Sequence, residues 1–459
     1  MEFLALFLLM VFLATFRRNT VAWLFCLSWL IPLVPIATGL ITYNSAYFPS
    51  GTYTAVLFGY MVVFLSGVAI EAVFARQRGD IQRKVEPVSA SSSQRTANIA
   101  WATGVIGTAL LMLDFILFRS DSLSDLAALR ENVGVIRISV FAMLASVLTW
   151  GALYSFAYAV YFNRTLSERA FFTYLLPAAG FFMVSVFSAG RQSVFQILVL
   201  MLVLYLLKAE GARQRPEAAA PGKSGRWVFL AGIGALAVVY MSALVTLRND
   251  GIMSTSKTDV LISLFDFDLH PAFASLIFLL PQAVHDAVVE ALVYFTNAIP
   301  LFAAFLDYDD WGLSLGATTF PVVFRQFEAF TGISVAEIML HKTEILGVLG
   351  VMPVGWTTSL SSFVMDFGFV GSYVVFLLQG YLTAAIYRSA RRSNRFELTL
   401  VAAVMLMAVV YSPMLPAFSD TNILLLLIFC FSVEFLRRLR AVAAVDEAPI
   451  VAGHGPGGK

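Results

Sequence analysis

The sequence predicts an all-α, polytopic integral membrane protein of about eleven transmembrane helices (ten to twelve), with a large external loop that holds amphipathic helices. Three observations predict it. Of 459 residues, 59% are hydrophobic and 13% charged, with a mean hydropathy of +0.82; a soluble domain carries about 25% charged residues. Apolar runs of roughly 17 to 25 residues, each long enough to cross a hydrocarbon core as a helix, recur along the whole chain. The connections between them divide into a strongly basic set and a set with little positive charge.

The first run, 1–16, lacks a basic start and ends in Arg17 and Arg18, the reverse of a cleavable secretory signal. It therefore reads as a retained span with its N-terminus outside. Further runs follow at 20–41, 53–74, 99–118, 136–162, 171–187, 194–207 and 227–247, and then, after a long connection, at 356–387, 398–411 and 421–436. Threading these from an external N-terminus puts Arg17/Arg18, Arg76 to Arg95, Arg164/Arg169, Lys208 to Arg226, Arg388 to Arg395 and Arg437 to Arg440 on one side. That side holds most of the 30 Lys and Arg. The positive-inside rule makes it cytoplasmic, the C-terminal tail included. Four regions result: an N-terminal bundle (1–247), a long external loop (248–355), C-terminal spans (356–436) and a tail (437–459). Two internal connections, around Ser89 to Ser93 and Gly211 to Gly225, are rich in Ser, Ala, Pro and Gly and read as flexible linkers.

Several function classes find no support. The net charge of +1 gives no ground for a nucleic-acid partner. Cys26 and Cys430 fall inside apolar runs, so neither a disulfide framework nor a CxxC motif is present. No inverted repeat, the mark of many transporters, is visible.

The loop from Arg248 to Gly355 has an apolar stretch of its own, with Phe273, Leu276, Leu280, Val284, Ala287, Ala291, Phe295 and Ile299 at helical spacing. A single extra span there would invert everything downstream and put Arg388, Arg391, Arg392 and Arg395 outside, against the charge rule. With Gln282, His285, Asp286 and Glu290 on other faces and Pro281 and Pro300 interrupting, the stretch reads as amphipathic helices lying on the outer surface or re-entering it.

Three external arginines are candidate ligand residues: Arg191 in Ser188-Ala-Gly-Arg-Gln-Ser193, Arg248 in Thr246-Leu-Arg-Asn-Asp250, and Arg325 in Phe320-Pro-Val-Val-Phe-Arg325. A guanidinium is a planar, permanently charged fork of donors matched to phosphate or carboxylate oxygens, so a converging set would hold a diphosphate-lipid donor. Arg191 sits in a tight turn between two short spans, which implies a dip below the surface where an arginine needs an anionic partner; the bland reading is an arginine snorkelling to headgroups. His341 and Glu344, in a polar turn before a span, are candidate bases for a sugar hydroxyl. Asp266, Asp268 and His270 have the spacing of a DxD metal site, but two carboxylates are too few for a hard cation and a solvated turn before Pro271 is the better reading. Asp307, Asp309 and Asp310 beside Trp311 read as an interfacial turn. Asp366, in Asp366-Phe-Gly-Phe-Val-Gly-Ser372, needs either backbone amides or an arginine for company. Gly368 and Gly371 most simply allow close helix packing. Asp114 and Asp420 lie at outer helix ends and read as caps or as side chains that snorkel to the surface.

Three segments together resemble the bacterial oligosaccharide repeat-unit polymerases of the O-antigen polymerase, or Wzy, type. They are the Ser-Ala-Gly-Arg turn at Arg191, the stretch Gly312-Leu-Ser-Leu-Gly-Ala-Thr-Thr-Phe-Pro-Val-Val-Phe-Arg325, and Thr357-Thr-Ser-Leu-Ser-Ser-Phe-Val-Met-Asp-Phe-Gly-Phe-Val-Gly371. The resemblance covers about 170–440, and departs from the commoner pattern in the three residues between Pro321 and Arg325. It implies a C-type glycosyltransferase fold in the inner (cytoplasmic) membrane with its site facing the periplasm. It also implies an inverting, metal-independent transfer, with no cofactor, in which undecaprenyl-diphosphate-linked glycan is both donor and acceptor. The product would be a surface polysaccharide: O-antigen, capsule or exopolysaccharide.

On this expectation Arg191, Arg248 and Arg325, with Asp366 beside them, bind the donor, and His341 or Glu344 activates the acceptor hydroxyl. Membrane lipid and a chain-length regulator protein are the remaining expected partners. A ligase that moves finished glycan needs the same donor site. A flippase of lipid-linked sugar needs no base and should hold its ionisable residues deep in several spans.

Overall fold

A computed structural model describes residues 1–16, 18–44, 51–77, 90–118, 139–187, 192–213, 232, 257–306, 308, 312–331, 334–335, 337–338, 341, 344–345, 358–393 and 395–446. In chain order the elements are α1 (Glu2–Thr15), α2 (Thr20–Ala37), β1 (Ile41–Tyr43), α3 (Gly51–Gln77), α4 (Ala90–Phe118), α5 (Val140–Leu148), α6 (Trp150–Tyr161), α7 (Glu168–Phe187) and α8 (Gln192–Arg213). Then come α9 (Lys257–Phe265), β2 (Phe267–Leu269), α10 (Pro271–Ile277), α11 (Gln282–Thr296), α12 (Ala298–Leu306), α13 (Pro321–Thr331), α14 (Ser359–Arg392), α15 (Phe396–Tyr411), a 3-10 turn (Ala417–Ser419) and α16 (Thr421–Asp446).

Among the described residues the fold is all-α apart from the short β1–β2 pair. Among the described residues six helical stretches are long and apolar enough to cross a membrane: 20–37, 51–77, 93–118, 140–161, 284–306 and 359–392. Helix α1, α15 and 194–208 are shorter apolar helices. Exposure runs opposite to that of a soluble protein: Phe3, Leu13, Ile116 and Leu176 lie on the outside while Ser155, Thr383 and Glu397 are buried. That pattern belongs to a chain whose lateral solvent is hydrocarbon, and it is consistent with a multi-span membrane protein. Small residues set the helix crossings. A Cβ at Gly67 would meet Leu377 O at 2.2 Å, and one at Gly380 would meet Phe64 O at 2.3 Å, so α3 and α14 touch backbone to backbone. Gly104 and Gly151 do the same for α4 and α6.

The basic connections gather at one end. Arg388 meets Glu71 at 2.7 Å, Arg395 pairs with Glu434, and Arg437 holds buried Glu397 through two nitrogens. Lys208 donates to Tyr161 O at 2.6 Å and to Asn163 Oδ1 at 2.5 Å, and Tyr387 bonds Thr20 at 2.8 Å. Each acid neutralises an arginine where helices enter the bundle, which is what makes charge tolerable at those positions. The opposite end carries the β1–β2 pair, the Asp114–Ser139 contact and the segments described below.

Three expected spans are changed by the structure. The run 20–41 stops being helical at Ala37, because 41–43 pairs as a strand with 267–269. The run 136–162 is two helices joined at Thr149, whose hydroxyl bonds Ala145 O and Asn422. The run 356–387 is broken at Gly368, which takes φ 69° and ψ 177°. The rings of Phe363 and Phe376 lie 6.2 Å apart, whereas thirteen residues of continuous helix would separate them by about 20 Å. The arm 359–367 therefore folds back on the arm 369–392, and a Cβ at Gly371 would stand 2.9 Å from that of Phe367. Gly368 thus serves a chain reversal, a role only glycine fills at these angles, while Gly371 accommodates the close approach expected of it. The run 227–247 lies outside the described residues except for Gly232.

The described part of the long connection, from Lys257 to Leu306, enters the bundle. The Tyr43 hydroxyl meets Thr296 Oγ1 at 2.6 Å, Tyr53 donates to Ile299 O at 2.8 Å, and the rings of Tyr60 and Phe302 stand 6.2 Å apart. From Tyr53 to Tyr60 is about 10 Å along α3, so α12 descends beside it, buried from Ala298 to Phe305. By Ser314 the chain is back, its N–H bonded to Met365 O at 3.0 Å just before the Gly368 break. Length and composition alone would let 284–306 span; these contacts put its entry and its return at the same end. The apolar stripe at Leu276, Leu280 and Val284 is exposed, and the face of α11 turned to the protein is His285, Val289 and Val293.

Candidate functional site

Asp366 organises the end opposite the basic one. It is fully buried, and both oxygens are used: Oδ1 accepts from Thr318 N at 2.9 Å, Oδ2 from Thr319 N at 2.8 Å and from Thr319 Oγ1 at 2.5 Å. Its company is backbone amides of a different segment, 312–320, rather than, as expected, those of a helix that Asp366 itself caps; among the described residues no arginine bonds it. The same segment donates Ser314 N to Met365 O and Leu315 N to Asp366 O, both at 3.0 Å, and Thr318 Oγ1 to Ser362 O, also at 3.0 Å. Carbonyls and a carboxylate at the bend of α14 are thereby answered by a turn whose own backbone is bent to fit, with positive φ at Gly312, Leu315 and Gly316. A non-glycine residue such as Leu315 in that region is strained, and such strain clusters at functional sites.

From this clasp the site extends in two directions. Phe320 stacks on Phe418 at 5.9 Å and 19°, which ties the clasp to the connection between α15 and α16. In that connection Asp420 caps α16, accepting from Asn422 N at 2.9 Å and Ile423 N at 3.2 Å, and it takes a side-chain hydrogen bond from Gln196 of α8. Burial raises the Asp420 carboxyl above its ordinary value, and these hydrogen bonds pull the other way. Gln196 lies one turn into the helix that begins directly after Arg191. Asp114, expected as a cap, instead lies buried within α4 and accepts from the hydroxyl of Ser139, the residue that caps α5.

The floor of this end is recessed. Tyr411 and Ser412 close α15 some sixteen residues, about 24 Å, from Arg395, and Gln196 stands about 18 Å from Lys208. Both distances are short of the roughly 30 Å hydrocarbon core. Trp29 Nε1, in the middle of α2, donates to Ser412 Oγ at 2.9 Å, and Ser359 N and Oγ donate to Ser412 O at 3.0 and 2.9 Å. The folded-back arm therefore begins deep in the bundle, with Thr358, Ser359, Ser361 and Ser362 all buried.

The remaining candidates fall as follows. Arg325 is exposed on α13, the helix that leaves the clasp. His341 and Glu344 approach one another, Nδ1 to Oε2 at 3.9 Å, with side chains 39% and 73% exposed, and the His341 ring lies 6.5 Å from that of Tyr308, which follows α12. Arg191 and Arg248 lie outside the described residues, as do Asp307, Asp309, Asp310 and Trp311. The DxD spacing has a structural use: Asp268 sits in β2 and accepts from Asn44 Nδ2 at 2.6 Å, and the His270 ring caps α10 through Ala272 N. Asp266 turns the chain between α9 and β2 with φ 46°. His285, buried, has both Thr258 Oγ1 (3.3 Å) and Asp286 Oδ1 (3.2 Å) at the same ring nitrogen. A nucleophile relay needs them on opposite nitrogens, so this group ties α9 to α11. Among the described residues no three His, Cys, Asp or Glu side chains gather as a metal cluster.

Sequence reasoning passed over Gln196 and Tyr411, each a polar residue within an apolar run, and it quoted Thr358 only as part of the segment Thr357–Gly371 without giving it a role of its own. Buried polar atoms left without a partner cost about 1–3 kcal/mol each, and Gln196 Oε1, Thr358 Oγ1 and Tyr411 Oη find none among the described residues. No family model, curated protein or solved structure matches the chain.

Proposed function

We propose that the chain is a membrane glycosyltransferase that polymerises undecaprenyl-diphosphate-linked oligosaccharide repeat units into a surface polysaccharide at the periplasmic face of the inner membrane. One observation supports the reading: two of the three segments that resemble repeat-unit polymerases are bonded to each other at the end opposite the basic one, and a chain of contacts leads from them to the helix that follows the first segment, which itself lies outside the described residues. Asp366 of the third segment holds Thr318 and Thr319 of the second, the second stacks Phe320 on Phe418, and Asp420 next to it meets Gln196, at the start of the helix that follows the first.

In this mechanism Arg191, Arg248 and Arg325 face the diphosphate and stabilise its charge as the glycosidic bond breaks, the step at which charge develops. His341 or Glu344 removes the proton of the acceptor hydroxyl. Asp366 acts as a positioning residue: its carboxylate fixes the turn from which α13, bearing Arg325, departs. The exposed apolar stripe of α10 and α11 lets a polyprenyl chain lie against the protein from the side.

The test is Arg191→Ala in cells, with protein level followed by immunoblot. The reading expects glycan shortened toward a single repeat at unchanged protein level; an unaltered chain-length distribution would overturn it.

A further inference from the structure

The turn that Asp366 holds is inside out. Its polar residues Ser314, Thr318 and Thr319 are buried, while Leu313 and Leu315 stand 68% and 61% exposed. Within 313–320 these two leucines are the exposed residues. Beside the turn, on α14, Phe369 and Val370 are exposed as well, Val370 at 76%. The two sets adjoin. Ser314 N and Leu315 N bond the carbonyls of Met365 and Asp366, and a Cβ at Gly368 would stand 3.5 Å from Leu313 Cδ2.

The backbone of the turn asks little of water. The N–H groups of Ser314, Leu315, Ala317, Thr318, Thr319 and Phe320 are all bonded: two to carbonyls of α14, two to the Asp366 carboxylate and two within the turn. A loop in water has no need of such completeness. Irregular backbone at membrane depth does, because it is tolerated only where the protein answers its polar groups.

Position along α14 gives the depth. Val370, Val374, Leu378 and Leu382 are exposed at one-turn intervals and form a single stripe, and every exposed residue of 367–382 is apolar. The stripe ends shortly before Arg388, which pairs with Glu71 at the basic end. From Val370 to Arg388 is about 27 Å of helix, short of the roughly 30 Å hydrocarbon core. The stripe therefore faces lipid along its whole length, and Leu313 and Leu315 continue it past the Gly368 break.

We infer that the turn 312–316 and the bend of α14 lie in the hydrocarbon of the leaflet opposite the basic end, where acyl chains of ordinary bilayer lipid cover Leu313, Leu315 and Val370. Asp366 then anchors a membrane-immersed turn: its carboxylate replaces the water that the turn's donors do not meet. The inference goes beyond the glycan reading and stands without it. Its consequence for that reading is that a lipid-borne substrate reaches the turn sideways, from within the bilayer.

Spin labels test it. Leu313→Cys and Val370→Cys, on separate segments, are labelled in the full-length protein reconstituted into phosphatidylcholine vesicles. Leu378→Cys is the hydrocarbon reference, and Gln77→Cys, exposed beyond Arg76 at the basic end, is the aqueous one. The unchanged protein, whose Cys26 and Cys430 are buried, is the blank. Power saturation compares collisions with oxygen, which concentrates in hydrocarbon, and with a water-soluble nickel chelate. Labels at Leu313 and Val370 are expected to match the oxygen-to-nickel ratio at Leu378 and to exceed the ratio at Gln77 several-fold. A ratio at either position that matches Gln77 would put the turn in water and overturn the inference. Labels that neither reagent reaches would show that protein covers the patch, and would overturn it as well. Should Leu313→Cys fail to fold, Leu315→Cys reads the same turn.

Discussion

Replacing Asp366 with Asn changes one atom at the centre of the clasp. The carboxylate accepts three hydrogen bonds in full burial, one at Oδ1 and two at Oδ2. The asparagine carbonyl can keep the bond from Thr318 N. Its NH2 must then stand where Oδ2 stood, facing Thr319 N, and two donors meet. The Thr319 hydroxyl can rotate and accept, so the net change is one charge-assisted bond lost, one weakened, and one buried amide left unpaired. Those losses sum to about 3 kcal/mol, a melting decrease on the order of 5 °C. Thr319→Val alone should cost about 1.5 kcal/mol and clearly less in the Asp366→Asn background, because the two changes share one bond. Differential scanning fluorimetry of the four proteins measures both quantities. An Asp366→Asn protein melting within a degree of the unchanged one, or strict additivity of the pair, would refute the clasp as described.

Three further outcomes follow from the same geometry. Gly368→Ala forces a side chain into φ 69°, ψ 177° and should cost about 1–3 kcal/mol, seen as a lower melting temperature and faster proteolysis of 312–331. Glu397→Gln should destabilise by about 3–5 kcal/mol by leaving Arg437 half-buried without its carboxylate, and Glu397→Gln with Arg437→Met should recover most of the loss in the same melts. Gly67→Ala puts a Cβ against Leu377 O and should separate α3 from α14, whereas Gly51→Ala, with nothing within 4 Å, should leave the melting temperature unchanged.

Much of the architecture is legible in the sequence because it depends on sums over long windows. The runs 398–411 and 421–436 fall inside α15 and α16, and the basic connections read from Arg388, Arg395 and Arg437 do gather at one end. What the sequence hides depends on single residues. Gly368 and Gly371 are both plausible packing glycines, yet one reverses the chain and the other receives the returning arm, and nothing local distinguishes them. The β1–β2 pair joins residues more than two hundred apart, and Ile41-Thr-Tyr43 reads as the tail of an apolar helix. Asp366 announces that it needs donors; that Thr318 and Thr319 supply them is a matter of tertiary approach. Gln196, Thr358 and Tyr411 are ordinary polar residues in the sequence, and their burial shows only in the fold.

The most direct test of the central claim is the glycan made by cells in which the chain is deleted, with surface and carrier-lipid fractions resolved by size. A polymerase predicts surface glycan one repeat long, restored to full length by the unchanged gene. Long polymer stranded on the carrier lipid would instead mark a ligase, single units stranded on the cytoplasmic side a flippase, and either result would contradict the account.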